Sequence, residues 1–225
     1  MNKTNNQKQN LFKLFQQLED HRRSQGRRHD LEVILTIVVM SIMSGFYQLR
    51  AIGDFIKKNR KELLDIFEID NDRLPSHQTV GRALQNIDFD ELSDVFYQWA
   101  INYVEIGKKD WFNVDGKAIS GTLTGGSQDS KQNFISLVSI FVNKRKQVLK
   151  IGKIENQKQS EIPMVKTLIK ELGLEGAIIT LDALHCTKDT TNTIIDSKND
   201  YVIGVKSNRK KLYNQLKKTP NQTKQ

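Results

Sequence analysis

Apolar residues recur at helical spacing through the first half of the chain, from about Leu11 to Ile106. The most apolar segment, Leu31 to Met43, is shorter than the roughly 20 residues that a membrane-spanning helix requires, so it predicts a buried core helix. We therefore expect residues 1–107 to form an all-helical domain and expect no membrane association.

Two polar residues mark helix starts later in this domain. Ser76 is predicted to cap a short helix that contains Arg82, and Asp90 to cap the next helix, which Gly107 ends. A short helix with one arginine could belong to a DNA-binding helix-turn-helix, but such helices are common in any helical domain. The ordinary structural helix is the favoured interpretation.

The pattern changes after Lys109 to short runs rich in β-branched and aromatic residues, separated by a polar loop over residues 120–130. Strands and helices then alternate. The predicted order is strands Trp111–Asp115, Phe134–Val142 and Val148–Ile154, helix Glu161–Leu172, strand Ala177–Leu181, helix Lys188–Asp196, strand Tyr201–Val205, and a basic helix from Arg209. This order predicts a mixed five-stranded sheet with helices on both faces, as in ribonuclease-H-like domains, over residues 108–225.

Two of the predicted strands end in a carboxylate, Asp115 after the first and Asp182 after the fourth. If these strands are neighbours, the carboxylates converge and repel each other unless a divalent cation lies between them. Carboxylate oxygens suit Mg²⁺ or Mn²⁺. Asp115 and Asp182 are therefore predicted to be metal ligands and catalytic groups for phosphodiester cleavage.

Each aspartate also has a structural alternative. Asp115 and Gly116 form a strong hairpin-turn signal, and Asp182 could cap the helix that follows it. A hairpin there would pair residues 111–114 with residues 117–120 and leave the polar loop beyond them unexplained. The two aspartates taken together therefore favour the metal site.

The net charge of +9 is concentrated near the ends of the chain. Residues 206–225 contain seven Lys or Arg and no acid, and a second basic cluster comprises Arg22, Arg23, Arg27 and Arg28. Both clusters suit phosphates, although a basic tail alone is often simply solvated.

Cys186 is the only cysteine, which excludes an internal disulfide and a cysteine-based zinc site. The N-terminus lacks the apolar segment of a secretory signal, so we expect a cytoplasmic protein. His185 and Cys186 are assigned packing or loop roles, because no partner stands at metal-ligand spacing.

From about Leu18 to Leu212 the sequence resembles the insertion-sequence DDE transposases related to the H-repeat-associated proteins. The motifs that carry the resemblance are His21-Arg22-Arg23 with Gly26-Arg27-Arg28-His29, Val114-Asp115-Gly116-Lys117, Ser160-Glu161-Ile162-Pro163, Thr180-Leu181-Asp182-Ala183, and the run from Asp200 to Asn208. The resemblance implies a helical domain followed by a metal-dependent catalytic domain that acts on the DNA ends of its own element.

The resemblance also implies a third catalytic carboxylate, a Glu on a helix after the last strand. No acid follows Lys206, so that Glu has no counterpart. We therefore expect an incomplete ribonuclease-H-like domain, truncated at its C-terminus, with little or no strand cleavage.

Four basic residues near the predicted strand ends are candidates for DNA contact: Lys117, Lys206, Arg209 and Lys210. Three functions remain open. The chain is a transposase that cuts and joins DNA, with self-association as a further expectation, or a non-catalytic DNA-binding or regulatory module derived from one, or a nuclease of the same fold.

Overall fold

The structure is a computed structural model that describes residues 10–104, 106–124, 133–144, 146–155 and 161–218. The chain divides into two compact units, and the boundary between them in the sequence falls between residues 103 and 104. Within the described ranges, no helix has the length and apolar character needed to cross a membrane.

The first unit is helical, as its apolar spacing predicts. Its helices are α1 (Leu11–Phe15), α2 (Leu31–Met43), α3 (Leu49–Lys58), α4 (Arg60–Ile66), α5 (His77–Asn86) and α6 (Phe89–Ile101). The apolar helix α2 has the predicted bounds, and its residues Ile34 and Ile37 are fully buried in the core of this unit.

One of the two predicted helix caps is confirmed and the other is wrong. The Ser76 hydroxyl accepts a hydrogen bond from the Thr79 amide at 3.2 Å, as expected of an N-cap. Asp88, and not Asp90, caps α6, because the helix begins at Phe89 and places Asp90 in its first turn. Helix α6 ends at Ile101, before Gly107.

The second unit is a mixed α/β domain. Its elements are β1 (Trp111–Thr124), β2 (Asn133–Val142), β3 (Gln147–Glu155), α7 (Glu161–Leu172), β4 (Ile178–Leu181), α8 (Lys188–Asp196), β5 (Asp200–Ile203) and α9 (Lys210–Lys218). The sheet order is β3-β2-β1-β4-β5, with β1, β2 and β3 antiparallel and β4 and β5 joined in parallel. The predicted mixed five-stranded sheet, preceded by helices, is confirmed.

Helix α7 packs on the sheet face that bears Phe112 and Val114, and α8 packs against α7 and β5. On the opposite face, Trp111, Val148 and Val202 are 44, 45 and 50% exposed. The expectation that helices cover both faces is therefore not met by the described residues.

Strand β1 is longer than predicted, because its pairing with β2 continues through the polar residues that follow Val114. Asp115 lies opposite Ser139 and Gly116 opposite Val138, so the chain does not turn back there. This register rules out the hairpin alternative. Residues 120–124 of the predicted loop extend β1, and the rest of that loop lies outside the described ranges.

Candidate active site

The register of the two central strands brings the predicted aspartates together. Strands β1 and β4 pair in parallel from Trp111 opposite Ile178 to Asn113 opposite Thr180. Asp115 and Asp182 each lie two residues after the last pair, so the same register, if continued, would set them side by side. Because side chains two residues apart share a face, both aspartates lie on the face that carries Asn113 and Thr180.

Asp115 departs from its predicted place in one respect, since it lies within β1 rather than at its end. The parallel pairing with β4 nevertheless stops at Asn113, so Asp115 stands just beyond it. The side chain is exposed, and no described residue is hydrogen-bonded to its carboxylate.

Asp182 follows β4 directly and is also exposed. Its Oδ1 accepts a hydrogen bond of 2.8 Å from the Leu184 amide and so caps a 3₁₀ turn over Ala183–His185. The capping alternative is thus realised, in a short turn rather than a long helix. The same bond orients the carboxylate and leaves Oδ2 available to another ligand.

A third carboxylate, Glu161, lies close to this region, and no functional role for it was predicted. It is the first residue of α7, and a Cβ built on Gly116 would lie only 2.5 Å from its carboxyl carbon. Because Asp115 and Gly116 alternate along β1, Glu161 lies on the face opposite the aspartates.

Glu161 is held there by His185. The Nε2 atom of His185 lies 2.9 Å from Glu161 Oε1, and the imidazole is buried, with no described partner for its Nδ1 atom. His185 therefore has a specific polar partner in addition to the predicted packing role. His185 lies three residues after Asp182, so this hydrogen bond joins the turn after Asp182 to the start of α7, whose Glu161 side chain lies against Gly116, the residue after Asp115.

The donor set at the aspartates suits a hard divalent cation, since two exposed carboxylates share one face. Within the described ranges, no third His, Cys or carboxylate completes a close set of three there. The one close set of three is the exposed group Glu19, His21 and Glu91 in the first unit.

The predicted DNA-contacting residues are all exposed. Lys117 follows Asp115 by two residues and shares its face. Lys206, Arg209 and Lys210 lie in the segment after β5, and Arg209 Nε donates a 2.6 Å hydrogen bond to the Cys186 carbonyl.

A second hydrogen bond, of 2.7 Å, runs from the Asn208 side-chain amide to the Ala183 carbonyl. Residues 206–210 are thereby held against the turn that follows Asp182. This basic segment therefore lies next to the turn after Asp182, and Lys117 lies on β1 two residues after Asp115.

The family described as DDE_Tnp_1-associated matches residues 12–100. Two Escherichia coli proteins named "Putative transposase YncI" are each 32% identical to this chain over 193 residues, which is 85% of its length. The match covers 75% of the protein from strain K12 and 48% of the protein from strain O157:H7. The chain thus spans about half the length of the latter. The "H repeat-associated putative transposase YbfD" of Escherichia coli K12 is 28% identical over 87% of this chain and 75% of its own length.

Among solved structures, a piggyBac transposase synaptic complex with hairpin DNA is similar with a TM-score of 0.47 and 13% identity, over 94% of this chain and 53% of that chain. The YncI protein of strain K12 identifies the family, because it is 32% identical to this chain and the match covers 75% of its length. The chain belongs to the insertion-sequence transposase family that includes YncI and the H repeat-associated proteins.

Proposed function

We propose that this chain carries part of the catalytic site of a DDE-type transposase, which cuts and joins DNA phosphodiesters at the ends of its insertion sequence. The observation that supports the proposal is the parallel pairing of β1 with β4, whose last pair, Asn113 and Thr180, precedes the exposed Asp115 and Asp182 by two residues on each strand. Metal-dependent phosphodiester cleavage needs ligands that hold the cation, and two carboxylates on neighbouring strands are suitable ligands for Mg²⁺ or Mn²⁺.

Asp115 and the free Oδ2 of Asp182 would hold Mg²⁺ or Mn²⁺. A divalent cation bound there supplies Lewis acidity toward the scissile phosphate and the attacking hydroxyl. The chain's own contribution is geometric. The Leu184 amide orients the Asp182 carboxylate, and pairing with both β2 and β4 fixes the backbone next to Asp115.

The DNA partner would lie along the basic residues beside the aspartates. Lys117 can reach a phosphate from the same sheet face, and Lys206 and Lys210 from the segment after β5. The Arg209 Nε is engaged with a carbonyl, which leaves its two terminal nitrogens to donate to phosphate oxygens. Cutting two element ends in one reaction would also need self-association of the protein.

These 225 residues alone are proposed to cleave DNA weakly or not at all. No acid follows Lys206 in the sequence, and Glu161 lies on the wrong face of the sheet to replace a third ligand. Losing a first ligand should weaken metal binding more than losing an outer contact, which already costs about 10–100-fold.

The second candidate is a non-catalytic DNA-binding or regulatory module derived from a transposase. The observation that favours it is the presence of only two candidate carboxylate ligands, Asp115 and Asp182, together with exposed basic residues near them in sequence or in the fold. The two candidates differ in one measurable property, which is metal-dependent nicking.

The test combines Mn²⁺ binding by calorimetry with nicking of a supercoiled plasmid, for the wild type, Asp115→Asn and Asp182→Asn. The matched control is Asp196→Asn, an exposed acid at the end of α8. We expect both site variants to lose Mn²⁺ binding and the control to keep it, with wild-type nicking near background.

Mn²⁺ binding that survives in both site variants would reject the proposed metal site. Robust wild-type nicking that Asp115→Asn abolishes would support the transposase site and reject the proposed deficiency. Metal binding without nicking would favour the non-catalytic module for these residues.

A further inference from the structure

The first unit contains an open groove of about 1040 Å³. Its walls come from residues 21–29, the start of α4, the segment before α5, and one side of α5 itself. Six arginines line it: Arg22, Arg23, Arg28, Arg60, Arg73 and Arg82. The first basic cluster of the sequence and the arginine of the short helix α5 therefore line one surface, although they lie some fifty residues apart.

Two of these arginines are neutralised within the protein. Arg22 is buried and forms hydrogen bonds of 2.8 and 2.7 Å from Nε and a terminal nitrogen to the Asp20 carboxylate. Arg60 pairs at 2.9 Å with Asp72, which is the one acid among the described residues that line the groove.

The other four arginines are exposed: Arg23, Arg28, Arg73 and Arg82. None of their guanidinium groups forms an ion pair with a described residue. Four uncompensated positive charges therefore face one concave surface. The nearby acids Asp20 and Asp72 are already paired with Arg22 and Arg60, so they do not offset these four charges.

The wall that carries Arg23 and Arg28 is ordered by the buried arginine. Arg22 also donates a 2.8 Å hydrogen bond to the His29 carbonyl, and Arg27 Nε donates one of 2.7 Å to the Arg22 carbonyl. These bonds fold residues 20–29 around the Arg22 side chain, so the exposed Arg23 and Arg28 project from a fixed backbone. Burial, with the positive charges of Arg22 and Arg28, holds the pKa of His29 below its ordinary value.

The remaining polar lining suits phosphates as well as the charge does. The uncharged side chains Ser76, Thr79, Asn71 and Asn86 also line the groove. One hydrogen bond joins the two hydroxyls, and the Asn86 amide donates to the Arg82 carbonyl, so one hydroxyl hydrogen, the second Asn86 amide hydrogen and the Asn71 amide remain as donors. Hydroxyl, amide and guanidinium donors spread over an extended surface are the groups that contact a nucleic-acid backbone. A single small anion would engage only a fraction of them.

We propose that this arginine groove binds the phosphate backbone of duplex DNA. The choice of DNA rests on the proposed transposase function, whereas the site itself rests on the groove. Backbone contacts position a protein on DNA without reading its sequence, so the groove would serve every duplex in the same way.

The experiment measures binding of the full chain to a labelled duplex by fluorescence anisotropy, in EDTA, over a range of salt concentrations. The variants are Arg23→Gln, Arg28→Gln, Arg73→Gln and Arg82→Gln, singly and combined. Each substitution should reduce the magnitude of the slope of log binding constant against log salt concentration by about one, and should weaken binding several-fold. The variant with all four substitutions should bind about a hundredfold more weakly or worse. The control is Arg50→Gln, an exposed arginine of α3 outside the groove, which should bind as the wild type does.

Thermal unfolding of each variant separates lost binding from lost folding, and the single variants suffice if the combined one is unstable. Wild-type affinity and salt slope in all four single variants would overturn the proposal, as would an equal loss in Arg50→Gln. Stronger binding to an RNA duplex of the same sequence would also overturn it. Because the assay excludes metal, Asp115→Asn should bind normally, so a failed groove and a failed catalytic site give different results.

Discussion

The Thr180 hydroxyl on β4 is hydrogen-bonded to the Asn113 side-chain oxygen on β1, on the face that carries both aspartates. The same hydroxyl lies 3.3 Å from the Phe112 carbonyl. The parallel pairing of β1 with β4 comprises only a few residues, so a side-chain bond at its last pair contributes appreciably to the register. That register decides whether Asp115 meets Asp182.

Replacing Thr180 by Val removes this bond while keeping the β-branched shape. The Asn113 oxygen is left without its donor in a partly buried position, so we expect the free energy of unfolding to fall by about 1 kcal/mol. Urea denaturation followed by circular dichroism measures the loss. Mn²⁺ affinity should weaken as well, because β1 and β4, which carry the proposed ligands, lose a side-chain hydrogen bond that joins them.

Thr191→Val is the control for that change. The Thr191 hydroxyl donates only to the Lys188 carbonyl of the same helix, at 3.0 Å, so its loss should leave Mn²⁺ affinity unchanged. Equal effects of the two variants on metal binding would show that the Thr180 bond has no special part in the site.

Truncating Glu161 to Ala should destabilise the second unit more than the change to Gln does. In Glu161→Ala both ring nitrogens of the buried His185 lack a described partner, at a cost of about 1–3 kcal/mol. A glutamine oxygen can still accept from Nε2, so Glu161→Gln should retain most of the stability. Chemical denaturation of the two variants gives the comparison, and equal losses would contradict a role for the hydrogen bond.

Gly116→Ala tests the close approach of α7 to β1. The new Cβ would lie 2.5 to 2.6 Å from the Glu161 carboxylate, which must move and break its bond to His185. We expect a loss of about 1–3 kcal/mol in the wild type and much less in a Glu161→Ala background. A double-mutant cycle measures the difference, and additive losses would show that the two residues do not interact.

Much of the fold could be predicted because its signals are local. The apolar runs at β4 and β5 and the alternation with helices are sufficient to predict a mixed five-stranded sheet. The observed order places β1 beside β4, which is the condition that the predicted convergence of Asp115 and Asp182 requires. The length of β1 could not be predicted, since its polar residues are kept extended by hydrogen bonds to β2, which is distant in sequence.

The same limit applies to the polar contacts around the site. Glu161 approaches Gly116 across 44 intervening positions, and nothing in the residues near either one specifies that approach. The cap of α6 was missed for a different reason, because Asp88 and Asp90 are both good caps and only the start of the helix distinguishes them. Local composition therefore predicted elements, and packing decided their exact ends and contacts.

The first unit should lose stability in acid through Asp20. Its hydrogen bonds with Arg22 hold the pKa of the Asp20 carboxyl below its ordinary value of 3.8, despite the opposing effect of burial. A lowered folded-state pKa adds stability that is complete above the unfolded-state value and is lost as the pH falls through the folded one. Asp20→Asn should therefore flatten the acid limb of the stability curve, whereas Asp30→Asn, at an N-cap without a side-chain hydrogen bond, should leave it unchanged. Urea denaturation between about pH 2 and pH 6 measures the acid limb of each variant's stability curve. An acid limb that persists in Asp20→Asn would assign that pH dependence to other carboxylates.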